Sequence, residues 1–270
     1  MVSHEQVLER LARGEKIERP EEMSPEYHEA LVNLMTQQAD SELAGGLGYV
    51  PWIAKAPSIE EKLAVASIVR DEIRHAKVMY GLLRDLGLDV EAHIAQHDYN
   101  FRLDDAGADI GTDRLAADGR VNIFYYPIDS WADFIMFNFC MDRGAGHQLE
   151  DVKESSFSPW AKAITGIFAE EMAHVGHGNF WVKKLGADPA TREEAQGALE
   201  KWYVRTMNIF GRPGTKKNAL YRDLGLKKRD NQDVRNAFTD EVHPLITEAG
   251  LTIPRWEAAW AAEEAVAIGG

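Results

Sequence analysis

Two short blocks carry residues able to hold metal: Asp71-Glu72-Ile73-Arg74-His75 and Glu170-Glu171-Met172-Ala173-His174. In each, a carboxylate and an imidazole stand three residues apart. At about 100° per residue of helix, Glu72 shares a face with His75, and Glu171 with His174. Each block also follows an acid at nearly the same distance: Glu42 lies 30 residues before Glu72, and Asp142 lies 29 before Glu171. A single Glu-x-x-His arises easily by chance. Two copies, each on a helical pattern and each preceded by an acid, fit the carboxylate-bridged dimetal site of four-helix bundles, where two helices give one acid each and two give Glu-x-x-His.

Mixed carboxylate and imidazole ligation without thiolate suits iron, or manganese, better than structural zinc. The expected ligand set is Glu42, Glu72, His75, Asp142, Glu171 and His174, with Glu72 and Glu171 bridging. Asp71 and Glu170, immediately before the ligands, are expected either to accept the spare N–H of a histidine from the other half or to lie on exposed helix flanks. Glu150 is the alternative ligand on the third helix, and His177 could extend the site or serve as a satisfied core histidine. Gly144, Ala145 and Gly146 would admit either a substrate or a neighbouring helix.

Four helices must position these groups. Ser24-Pro25-Glu26 opens the first, an N-cap serine followed by proline at the first helical position. It is expected to carry Leu31, Leu34, Met35, Gln38 and Glu42 inward and to end at Gly45-Gly46-Leu47-Gly48, with Tyr49-Val50-Pro51-Trp52 as a loop. Ser58 and Glu61 form a capping-box pattern for a second helix that extends to Gly87, with Leu63, Ala66, Ile68, Glu72, His75, Met79 and Leu82 or Leu83 inward. Residues 88–120 read as a long crossover with one short helix near 89–96. Ser130-Trp131-Ala132-Asp133 opens a third helix, Phe134 to about Lys153. Ser158-Pro159-Trp160 opens a fourth, to Leu185-Gly186, with Ile164, Ile167, Phe168 and Phe180 on or near the ligand face. Helices near 191–210 and 231–248 pack outside the four, and residues 1–22 form an amphipathic arm.

Composition bounds the function. The 270 residues, 45% hydrophobic and 27% charged, read as one soluble globular domain, residues 1–270. There is no apolar run long enough to span a membrane and no basic, apolar leader at the N-terminus, so a cytoplasmic location is the default. Cys140 is the one cysteine, which excludes an intramolecular disulfide and a Cys-ligated iron–sulfur cluster, and its apolar neighbours suit an inert buried thiol. No glycine fingerprint for a dinucleotide is present. A net charge of −14 argues against nucleic acid. One segment is basic: Arg212, Lys216, Lys217, Arg222, Lys227, Lys228 and Arg229 stand against the single acid Asp223. It is either a solvated loop that docks an acidic surface or part of a pocket for a phosphorylated ligand.

Several stretches together resemble the catalytic A subunit family of the multicomponent phenylacetyl-CoA epoxidase. They are Gln38-Ala39-Asp40-Ser41-Glu42, Asp71-Glu72-x-x-His75, Tyr126-Pro127-x-x-Ser130-Trp131-Ala132-Asp133, Met141-Asp142-x-Gly144-Ala145, Glu170-Glu171-x-x-His174, Phe210-Gly211 and Pro244-x-x-x-x-Gly250-Leu251-Thr252-x-Pro254. The resemblance covers most of residues 20–255. It implies an all-α, ferritin-like four-helix bundle with additional peripheral helices, 187–255 among them. It implies the same six residues as di-iron ligands, and an oxygen-dependent epoxidation or hydroxylation of an aromatic acyl-CoA. Lys216, Lys217, Lys227, Lys228 and Arg229 would then hold the CoA phosphates. The family's separate NAD(P)H-dependent reductase and structural sister subunit become expected partners in a hetero- or homo-oligomer. Two departures stand out: a longer crossover around 96–120 and an end soon after Pro254. A ferritin-like iron or manganese oxidase without a CoA substrate is the alternative. A radical-generating subunit of ribonucleotide reductase is disfavoured because Met79 holds the position where its tyrosine would stand.

Overall fold

A computed structural model describes residues 2–257. Among them the only strand-like feature is an isolated bridge between Ile17 and Phe157, and everything regular is helical. Helix α1 (His4–Ala12) opens on a capping box between Ser3 and Gln6. After a 3-10 turn at Pro20–Glu22 come α2 (Pro25–Lys55), α3 (Ile59–Asp85) and the short α4 (Val90–Ala95). An irregular crossover leads to a 3-10 turn at Asn122–Tyr125 and to α5 (Trp131–Phe137), a π-helical turn (Asn138–Asp142) and α6 (Arg143–Val152). Then follow α7 (Ser158–Ala187), α8 (Arg192–Ile209), α9 (Lys216–Asp223) and α10 (Asn231–Glu248). The bundle is α2, α3, the α5–α6 run and α7; α8 packs on α5, and α10 on α6 and α7. The protein is an all-α, ferritin-like bundle with peripheral helices. No helix among the described residues is long and apolar enough to cross a membrane.

The starts of the helices follow their caps. Ser24 Oγ accepts the Tyr27 N–H at 3.2 Å, Ser58 Oγ that of Glu61 at 3.3 Å, and Ser130 Oγ that of Asp133 at 3.1 Å. The Glu61 carboxylate, however, does not return to the Ser58 backbone. It lies 2.9 Å from His177 Nε2 and ties α3 to α7 instead.

Helix α2 differs most from its expected length, running ten residues past Gly45 with Pro51 inside it. The glycines are places of close approach, not a stop. A Cβ on Gly46 would sit 3.1 Å from Glu72 Cβ, so its absence lets α3 come close at the level of the ligands. Pro51 lies within the last turn and a half and removes one backbone donor near the helix end, where an interruption is least costly. The continued helix buries Tyr49 and Trp52 in the core.

The third helix is also not uniform: one π turn separates α5 from α6. Its backbone packs on α7 at Gly178, where a Cβ would meet Phe139 Cα at 2.9 Å. On α3, Leu63 is exposed and Val65, Ile68 and Val69 are buried; on α7, Phe180 is exposed. The apolar period continues beyond the part of each helix that its neighbours cover. The crossover is held by more than its sparse apolar content suggested. Tyr80 OH, Tyr99 OH, His93 Nε2 and the Gly119 N–H all converge on buried Asp40 of α2, and Arg120 is ion-paired with Asp118 at 2.7 Å.

The core forms two apolar clusters. One gathers Tyr49, Trp52, Phe134, Phe137 and Trp202. The other gathers Tyr27, Leu31, Met35, Met79, Leu83 and Trp160. Along α2, α3, α6 and α7 the chain passes from one cluster to the other, and the polar layer between them holds Glu42, Glu72, His75, Asp142, Glu171 and His174.

Candidate metal centre

All six residues are buried, none more than 8% exposed. Their donor atoms form two groups, each within 4.8 Å: Glu42, Glu72, His75 and Glu171, and Glu72, Asp142 and His174. His75 Nδ1 is 3.0 Å from Glu171 Oε1 and 3.4 Å from Glu42 Oε2; His174 Nδ1 is 3.1 Å from Glu72 Oε1 and 3.5 Å from Glu171 Oε2. Each Glu171 oxygen therefore faces a different histidine, and Glu72 belongs to both groups. Despite these separations, His75 Nδ1, His174 Nδ1 and Glu171 Oε1 satisfy no hydrogen-bond geometry. Buried polar atoms without a hydrogen bond are rare and costly, so donors aimed at common points are a fit for cations.

Electrostatics agree. Burial, with the Glu171 and Glu42 charges adding, pushes the Glu72 carboxyl up to about 8. Burial likewise raises Glu42 and Asp142. For Glu171 burial is outweighed by His174 and His75, which hold it down to about 2. Burial also opposes the charged histidines, but the facing carboxylates win, pushing His75 up to about 11 and His174 up to about 12. Four carboxylates in one dry layer repel each other, and two divalent cations would carry the matching charge.

The surrounding residues fix these donors unevenly. His75 Nε2 is 2.8 Å from Glu170 Oε2 of the opposite half, which orients the ring with Nδ1 inward. The matching pair is looser: His174 Nε2 lies 3.7 Å from Asp71 Oδ2 and makes no hydrogen bond. Asp142 accepts from Tyr49 OH at 3.0 Å and from Asn138 Nδ2. Sequence reasoning missed Tyr49, although it stands seven residues after Glu42 and thus on the same helical face; assigning it to a loop hid that signal. Glu150 lies outside the layer near Arg229, and His177 bonds Glu61 and Asn138. Gly144 faces α8, where a Cβ would meet Ile209 Cδ1 at 2.6 Å, while Ala145 lines a cavity. Cys140 is buried, and burial pushes its thiol up.

That cavity, of about 400 Å³, is lined by the carboxylates Glu42, Glu72, Asp142 and Glu171, by Phe124, Phe137 and Met141, and by the cations Arg114, Arg212, Lys217 and Lys227. The basic segment is thus partly helix α9, not loop throughout, and it divides. Lys217 and Lys227 face the cavity. Lys216 is exposed and does not line it; Lys228 pairs with Glu154, and Arg229 with Asp151 at 3.0 Å. Arg114, on the crossover, was not foreseen.

A family model described as "Phenylacetic acid catabolic protein" matches residues 7–265. The chain belongs to this family. It is 26% identical over 263 residues to the A subunit of the 1,2-phenylacetyl-CoA epoxidase of Escherichia coli (strain K12), spanning 94% of this chain and 78% of that protein. It is 25% identical over 236 residues to component B of the benzoyl-CoA oxygenase of Aromatoleum evansii, spanning 79% of this chain but 47% of that component. The relative most fully spanned is therefore named for the same complex that the sequence motifs resemble.

Proposed function

We propose that the chain is the catalytic subunit of a di-iron multicomponent monooxygenase that epoxidises or hydroxylates an aromatic acyl-CoA such as phenylacetyl-CoA. The observation that carries this reading is one cavity lined at once by carboxylates of the carboxylate–histidine layer, by aromatic side chains and by cations. An aromatic acyl-CoA carries the groups that such a lining suits, an apolar ring and phosphates. Both relatives are named for a reaction of an aromatic acyl-CoA.

In this reading Glu42, Glu72, His75, Asp142, Glu171 and His174 would hold the metal ions. Two iron ions held there, or manganese, would supply the redox chemistry that activates dioxygen. The protein's part is positional. Glu170 keeps the His75 proton on Nε2, leaving Nδ1 free to ligate, and Tyr49 holds Asp142 by donating to one oxygen. Phe124, Phe137 and Met141 exclude water from the reacting end and pack the acyl ring. Electrons come from NAD(P)H through a separate reductase, since one buried cysteine and no glycine fingerprint leave no place for a cluster or flavin. A sister subunit completes the assembly, and a CoA thioester substrate sets the reaction in the cytoplasm. Residues 1–270 act as one domain.

The test is to purify the chain with its reductase and sister subunit, measure iron and manganese, and follow NADPH, oxygen and thioester products with phenylacetyl-CoA and benzoyl-CoA. Expected are about two metal ions per chain and an oxygenated thioester formed in step with oxygen uptake. Oxygen uptake with metal oxidation and no altered thioester would support the metal-oxidase alternative instead.

A further inference from the structure

Cations line the cavity from two segments far apart in sequence. Arg114 comes from the crossover. Thr215, Lys217 and Asn218 come from the first turn of α9, where Thr215 caps by accepting the Asn218 N–H at 3.2 Å. Neither Arg114 nor Lys217 forms an ion pair among the described residues. Burial and then the Arg114 charge hold the Lys217 ammonium below the ordinary lysine range. Two like charges therefore line one cavity with no acid paired to either, and the positive end of α9 adds to them. A second observation points to a ligand. Asn218 is 3% exposed and its Oδ1 has no hydrogen-bond partner, although its Nδ2 donates to Asn231 Oδ1 at 2.8 Å. An orphaned acceptor thus lines the cavity beside the cations.

The crossover presents Arg114 from a fixed base. Ala116 N–H donates to Tyr125 OH at 3.0 Å, Gly119 N–H to Asp40 at 2.5 Å, and Val121 N–H to Ser41 Oγ at 3.2 Å. Asp40 and Ser41 belong to the turn of α2 that carries Glu42, so the crossover that bears Arg114 is tied to the same helix as the metal layer.

Resting on the acyl-CoA reading, we infer that Arg114 and Lys217, from two segments of the chain, grip a phosphate of the CoA nucleotide, while Asn218 Oδ1 accepts an N–H from the pantetheine arm. The clamp reads the handle of the substrate and not its acyl group. Of the basic residues between 212 and 229, it assigns phosphate recognition to Lys217 and removes it from Lys216, Lys228 and Arg229.

Titration calorimetry of the full chain with CoA and with pantetheine, at two salt concentrations, tests this. Arg114→Gln and Lys217→Gln should each weaken CoA binding about tenfold and flatten its salt dependence, with pantetheine binding unchanged. Arg222→Gln, at the exposed far end of α9, controls for net charge and should match the wild type. Wild-type CoA affinity in both cavity variants, or equal losses for CoA and pantetheine, overturns the clamp while leaving the acyl-CoA reading in place. A wild-type chain that binds neither CoA nor its aromatic thioesters overturns both. Both substituted positions are exposed, and unchanged helical circular dichroism would confirm that the variants fold.

Discussion

The two halves of the bundle contribute the same kinds of ligand but secure them in opposite ways. In the α2–α3 half the histidine is held: His75 is bonded to Glu170, while no protein hydrogen bond to Glu42 meets ordinary geometry. In the α5–α7 half the acid is held: Asp142 has Tyr49 and Asn138, while His174 has no hydrogen bond on either nitrogen. The backbone differs in the same sense. Glu42 projects from an uninterrupted helix, whereas Asp142, one methylene shorter, closes a π turn. A π turn moves the residue that follows it around and along the helix axis, and such turns often stand at functional sites. The pseudo-repeat in sequence therefore repeats donor type and not support: each half fixes one of its two terminal ligands and leaves the other to be set by what binds.

The largest expected effect comes from the residue that belongs to neither half alone. Glu72 is in both donor groups, so Glu72→Ala should abolish loading of both metals, whereas Glu42→Ala removes a donor from the first group only and should leave the second better occupied. Metal analysis by plasma mass spectrometry decides between them, and equal losses in the two variants would erase the distinction between bridging and terminal acids.

Next in size is the response to pH of the metal-free protein. Glu72, His75 and His174 have folded-state values raised above their ordinary ones, so the folded chain binds more protons than the unfolded one. Stability from such groups is complete below the unfolded value and is lost as pH rises, for Glu72 from about 4.5 to about 8 and for the histidines from about 6.5 upward. Glu171, held low, acts in the opposite sense, but only in acid below about 4.5. The metal-free Tm should thus fall from about pH 5 to about pH 8, while bound cations displace the same protons and bind more tightly as pH rises. The gap between metal-loaded and metal-free Tm should widen over that range; a gap that narrows would mean the layer is not where cations bind.

Much of this was legible in the residues, and what was not has a common cause. The three-residue spacings and the two upstream acids specify faces of helices, and helices long enough to cross a bundle must bring those faces together. The π turn was invisible because local composition around Asn138 reads as ordinary helix, and only packing on Gly178 and α7 selects it. Pro51 and the glycines read as a helix end because their local preferences were weighed without the approach of α3 and Arg102 that uses them. Arg114 and Asn218 carry no local signal, since their meaning lies in facing one cavity from segments a hundred residues apart.

The finest test of the comparison exchanges the two outer acids. Glu170→Gln keeps the shape but removes the charge that accepts from His75 Nε2 at 2.8 Å, so the ring loses its strongest restraint. Loss of such an orienting partner typically lowers metal affinity by about 10- to 100-fold, and that range is expected here. Arg74 also pairs with Glu170, so part of the loss could come from a freed arginine. Arg74→Gln separates the two, because it leaves the Glu170–His75 bond intact and should retain near-wild-type affinity. Asp71→Asn removes a carboxylate that stands 3.7 Å from His174 and makes no hydrogen bond to it, and Arg70 and Arg74 already draw its charge outward. Its effect should stay within about threefold, the scale of a screened surface interaction. Competitive titration against a chelator of known affinity measures all three variants on one scale. If Asp71→Asn costs as much as Glu170→Gln, metal binding must draw Asp71 onto His174, and the unequal support of the two histidines is a property of the metal-free protein alone.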